Sequence, residues 1–182
     1  MKPNWEQIFV TLLQKPVKTA DEFSEMQHAR AEFEKELNLE TQALLQEIEL
    51  KGIKVNNIWD LVNTRSPYPE VIDVLTGYLT KDYHNKNKEG IIRALGVKEA
   101  EVSVAQRLLG AYFDTDDKGV KDAILVSIYN ILKSKTAKKL LTAQNNEEPF
   151  MSLLGVFIQN RKISVDDFVK KFYKDIEPLL KE

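Results

Sequence analysis

Apolar side chains recur along this chain every three or four positions and almost nowhere every two. That spacing predicts helices rather than strands, because residues three and four apart share a helix face. Trp5, Ile8, Phe9 and Leu12 form the first stripe, between Pro3 and Pro16, so a helix is expected over about 3–14 with Pro16 ending it. Thr19 followed three residues later by Glu22 is a capping-box pattern that opens a second helix. Its inner face is expected to carry Phe23, Met26, Ala29 or Arg30, and Phe33. The segment ELNLETQALLQEIELKG either prolongs this helix or starts another after a break near Asn38. Leu37, Leu44, Leu45 and Ile48 are its core candidates, and Gly52 marks its end.

Beyond Gly52 the pattern repeats at an offset of 33 residues. Ile58, Ile91 and Ile124 keep that spacing, as do Val62, Leu95 and Ile128. Three more columns follow it: Val71, Val104 and Ala137; Leu75, Leu108 and Leu141; Gly77, Gly110 and Ala143. The columns predict stacked helix pairs, each burying one side and relying on its neighbours to cover the other. The pairs are expected at 56–63 with 69–79, 87–97 with 100–113, and 117–132 with 136–143. A looser fourth pair would occupy 149–159 and 165–180. There Phe157 keeps the offset while Arg161 departs from it, as suits a terminal cap with a polar outer face. The small-residue column predicts close helix approach, since glycine inside a helix costs about 1 kcal/mol relative to alanine and needs a compensating reason.

The stretches IWDLV, YPEVIDVLTGYL and EGIIRALGVKEAEVSVAQRLLGAYF, followed by DAILVSIYNIL, carry a resemblance to the HEAT-like repeat family over about 55–143. The period is shorter than the roughly 40 residues usual for that class. Ankyrin repeats share the period, but their T-P-L-H turn is missing, and the tetratricopeptide spacing does not occur. The resemblance implies an all-α chain forming a short right-handed α-α superhelix whose curved surface binds other macromolecules. The expected organisation is a single domain over 1–182. In it, N-terminal capping helices (1–54) precede three helix pairs (55–145) and a C-terminal capping pair (146–182).

Composition narrows the chemistry. With 43% hydrophobic and 30% charged residues in 182, the chain can bury a core and is not expected to be disordered. The absence of cysteine removes disulfides, thiolate nucleophiles and cysteine-based metal sites together. No apolar run approaches the roughly 20 residues of a membrane span. The start MKPNWEQIFVTLL has no secretory signal pattern, so a cytoplasmic protein without membrane association is expected. His28 and His84 are too far apart for a local metal motif, and FDTDDKG lacks the length and final glutamate of a calcium loop. It reads instead as a turn in which Asp116 or Asp117 caps the next helix. No phosphate loop, nucleophile elbow or catalytic triad occurs, so no catalysis, metal or cofactor is expected.

If second helices line the concave surface, as the resemblance implies, residues just off their apolar stripe face a partner. These are Glu70, Ser103 and Thr136, and Asp73, Gln106 and Lys139, which run from acidic to basic along the array. His84 and Tyr83, in KDYHNKNK, are expected in an exposed loop between units as further contacts. Lys133, Lys135, Lys138 and Lys139 form a candidate basic patch, with Lys118 and Lys121 nearby in sequence. The leading expectation is an adaptor that binds another protein. The alternative is nucleic-acid binding or base repair, as in HEAT-like DNA glycosylases, a resemblance that would imply a cationic groove, an aromatic platform and a carboxylate. Trp59 and Asp60 are adjacent, but neighbours on a helix point about 100° apart and need not face one groove, and Trp59 reads more simply as core. A net charge of −2 weighs against that alternative.

Overall fold

Several helix ends in this chain fall where polar side chains or glycine satisfy the free backbone groups of a terminal turn. In the computed structural model, which describes residues 3–140, Asn4 accepts a hydrogen bond from the Gln7 amide (3.0 Å) and opens α1, Trp5–Gln14. Trp5, Ile8, Phe9 and Leu12 are all partly buried on it. Thr19 and Glu22 form the expected reciprocal box: the Glu22 amide donates to Thr19 Oγ1 (3.2 Å) and the Thr19 amide to Glu22 Oε2 (3.0 Å). The helix it opens, α2, is continuous over Ala20–Leu50, with no break at Asn38. It stops in a Schellman motif, where Gly52 takes φ +86° and the amides of Gly52 and Ile53 reach the carbonyls of Glu49 (2.8 Å) and Ile48 (3.4 Å).

The chain divides into two compact units, Met1–Ala43 and Leu44–Glu182. In the first, Met26 and Ala29 are buried and the Trp5 and His28 rings meet edge-on at 5.2 Å. Phe23 departs from expectation: it is 53% exposed.

Among the described residues the second unit begins with the last turns of α2 and continues through five helices: α3 (Ile58–Asn63), α4 (Ile72–Gly77), α5 (Asn85–Leu95), α6 (Val102–Phe113) and α7 (Lys118–Leu140). A 3-10 turn, Pro69–Val71, leads into α4. No strand occurs among the described residues, so the described chain is all-α. Helix α5 packs against α3, α4 and α7, and α7 also packs against α6. The repeat columns form the heart of this packing. Ile58, Ile91, Ile124, Leu95, Ile128, Val71, Val104, Leu75 and Leu108 are all buried in one cluster, and Val62 packs partly buried against it. Each such side chain contributes about 1.5–3 kcal/mol through burial. Leu141 and Ala143, which would complete two columns, lie outside the described residues, as does the 146–182 capping pair; the Ala137 side chain is likewise not described.

The C-terminal turn of α5 is tied down carbonyl by carbonyl. Ile92 O accepts from Ser127 Oγ on α7 (2.8 Å), and Arg93 O from the Gly96 amide (3.1 Å). Ala94 O accepts from the Tyr68 hydroxyl (2.9 Å), and Leu95 O from the Val97 amide (2.9 Å). All four carbonyls that a helix end would leave free are thus satisfied. Burial, with a smaller effect of the Glu99 charge, pushes the Tyr68 phenol up from 10.0 to about 12. A raised phenol stabilises the fold fully below the ordinary value of 10.0, and that contribution disappears as pH rises through about 12. Tyr68→Phe should therefore cost about 1 kcal/mol at neutral pH. Thermal melts between pH 9 and 12 should show a shallower alkaline loss of stability in the variant, and parallel curves would refute this linkage.

Two expectations fail here. The break expected between 132 and 136 is absent, because α7 runs unbroken to Leu140 through a stretch with neither proline nor glycine. The glycine column also has a different meaning. A Cβ placed on Gly77 or Gly110 would meet nothing within 4 Å, so neither serves close helix packing. Close approach occurs instead at Gly90, where a Cβ would lie 2.6 Å from Ile58 Cγ2, and at Gly96, where it would lie 2.8 Å from Ser127 Cα. Gly110→Ala should accordingly stabilise α6 by up to about 1 kcal/mol. Denaturant titration checks it, and a lowered midpoint would refute it.

Candidate functional site

Helix α6 has two faces of different character. Val104, Ala105, Leu108, Leu109 and Tyr112 are buried, whereas Ser103, Arg107 and Gly110 are exposed, with Asp114 continuing their line at the helix cap. The spacings of four, three and four place these four on one side of the helix. Of the residues expected to face a partner, Ser103 sits on that side of α6, Asp73 is exposed on α4, and Glu70 is exposed on the 3-10 turn before it. Gln106 lies on α6, and Thr136 and Lys139 on the last turns of α7, but their side chains fall outside the described residues. The same holds for Lys133, Lys135 and Lys138.

A cleft of about 560 Å³ opens where the end of α4, α5, α6 and the start of α7 meet. Ile91, Ile92 and Val120 line it while remaining almost fully buried, and the partly exposed Leu79 and Ala111 supply apolar surface. Lys81, Lys88 and Arg107 bring positive charge, Asp82 and Asp114 negative, and Gly110 lines it without a side chain. Lys88 is paired with Asp82 at 3.2 Å, and Lys81 lies 5.9 Å from the centre of the Tyr78 ring. Tyr78, which also lines the cleft, donates its hydroxyl to Glu47 Oε1 at 2.6 Å. That bond, with some desolvation, holds the phenol up at about 12, so Tyr78 is a neutral donor at ordinary pH.

Other candidates have local structural roles. Asp60 accepts from the Asn56 (2.7 Å) and Asn57 (3.3 Å) amides as the closing carboxylate of a capping box on α3. Trp59 packs partly buried at Gly90, with Lys86 Nζ 4.8 Å from its ring centre. His84 Nδ1 accepts from the Lys86 amide (3.1 Å) and caps α5, while Tyr83 stacks on Tyr78 at 6.2 Å. Both lie half-buried in the connection between α4 and α5, where the sequence placed them, rather than fully exposed. Asp117 caps α7 through the Val120 amide (2.9 Å) and receives the Asn85 amide group (2.9 Å), as the turn reading anticipated.

Among the described residues no cluster of three or more His, Asp or Glu side chains is placed to hold a metal ion, and no helix is long and apolar enough to cross a membrane. Sequence reading missed Arg107, Lys81 and the cleft itself. The available signal was Arg107 one turn beyond Ser103, with an exposed glycine one turn further. Compared with known proteins, the chain matches no family model, no curated protein and no solved structure.

Proposed function

We propose that this chain is a non-enzymatic, cytoplasmic scaffold that binds another protein through the exposed side of its second helices, within a short right-handed superhelix of HEAT-like pairs. The observation that carries the reading is the line of Ser103, Arg107, Gly110 and Asp114, exposed along a helix whose opposite side is fully used in the core. Support for the repeat comes from α3, α5 and α7, which hold equivalent columns and pack in series. A rigid helix side presents its groups without first having to order them, which lowers the cost of association.

Affinity capture from native lysate, with and without nuclease, tests this reading when wild type is compared with a variant carrying Asp73→Lys and Lys139→Glu. A protein partner retained after nuclease and lost with the variant is the expected result. Recovery only with intact nucleic acid would overturn it in favour of binding through Lys133, Lys135, Lys138 and Lys139. Nucleic-acid affinity of that kind would also fall steeply with salt.

A further inference from the structure

Gly110 lowers the helix propensity of α6 and has no packing neighbour to justify its lack of a side chain. It lines the 560 Å³ cleft, where any side chain would add bulk. Charge in the cleft is unbalanced. With Lys88 and Asp82 paired, Lys81 and Arg107 remain against Asp114, and neither Arg107 nor Asp114 forms an ion pair with a described residue. The volume lies within the range of pockets that hold a small ligand or one to two side chains, and it is far smaller than a whole protein interface.

Resting on the scaffold reading, we infer that this cleft receives a short linear segment of the partner in which an apolar side chain stands beside an aspartate or glutamate. The apolar group covers the partly exposed Leu79 and Ala111, and the carboxylate pairs with Arg107 and Lys81. Arginine suits the second task because its planar fork matches a carboxylate in two parallel hydrogen bonds. The absent side chain at position 110 leaves the segment's backbone room to pass over α6.

The test selects random twelve-residue peptides on the full chain by display and measures enriched peptides in solution by fluorescence anisotropy. The panel is wild type, Arg107→Glu, Gly110→Trp and the charge control Arg65→Glu, an exposed residue grouped with Gly96 at the C-terminal end of α5 and not lining the cleft. Enriched peptides should pair an apolar residue with Asp or Glu, lose about tenfold or more in affinity with Arg107→Glu and with Gly110→Trp, and keep it with Arg65→Glu. Exchanging the peptide's acidic residue for lysine should restore binding to Arg107→Glu. Arg107 is exposed, so its variant keeps the test valid if Gly110→Trp fails to fold. Failure to enrich peptides, or enriched peptides indifferent to both cleft variants, would overturn the proposal. So would binding of a twenty-residue oligo-dT that is lost with Arg107→Glu, which would assign the cleft to nucleic acid. A lysate partner captured equally by wild type and both cleft variants would sink the cleft alone, whereas no captured protein would sink the scaffold reading.

Discussion

Leu95→Ala should lower the stability of the second unit by about 2–5 kcal/mol. Leu95 is fully buried in the last turn of α5, the helix against which α3, α4 and α7 all pack. Removing its side chain forfeits the transfer free energy of the lost carbons and leaves a cavity between elements that cannot all close on it. The position also tests the repeat, because Leu95 shares its column with Ile128 and partly buried Val62. Denaturant titration in a Trp5→Phe background isolates the fluorescence of Trp59, which packs against the same cluster. A midpoint shift worth less than about 1 kcal/mol would contradict the burial of this column. The matched control is Leu39→Ala, on a side chain 62% exposed, which should change stability by no more than about 0.5 kcal/mol.

Much of this fold was legible because its signals are local or periodic. The Thr19–Glu22 box, the stop at Gly52 and the stripe of α1 each depend on residues within a turn or two, where spacing fixes geometry. The 33-residue columns were legible because apolar residues recur at that offset, and Ile58, Ile91 and Ile124 are all buried in one cluster. The errors arose where the answer depends on which elements meet. Gly77 and Gly110 fell on the repeat and suggested close packing, whereas Gly90 and Gly96 fell outside the small-residue column and are the ones that approach Ile58 and Ser127. Extending the repeat through 132–136 imposed a break on residues whose own propensity favours a continuous helix. The exposed face of α6 could be read in part, through Ser103. Its cleft could not, because Lys81, Arg107 and Ile91 come together only after α4, α5 and α6 have packed.

Gly96→Ala should be strongly destabilising even though alanine ordinarily improves a helical segment. At φ −77° the backbone of Gly96 is one that any residue can adopt, so no conformational strain enters the comparison. The added Cβ would lie 2.6 Å from Ser127 Oγ, 2.8 Å from its Cα and 2.9 Å from its Cβ. A flexible side-chain tip could turn away, but the Cα belongs to the backbone of α7, so the two helices would have to separate. Overpacking of this kind costs about 1–3 kcal/mol. Separation would also stretch the 2.8 Å bond from Ser127 Oγ to Ile92 O, and an unsatisfied buried group adds about 1–3 kcal/mol. Ser127→Ala alone should cost only the second contribution, and combining it with Gly96→Ala should be less than additive because both act on one contact. Urea titration of the two single variants and the double variant measures all three terms. Gly96→Ala with wild-type stability, or additive losses in the double variant, would mean that α5 and α7 do not meet at this point.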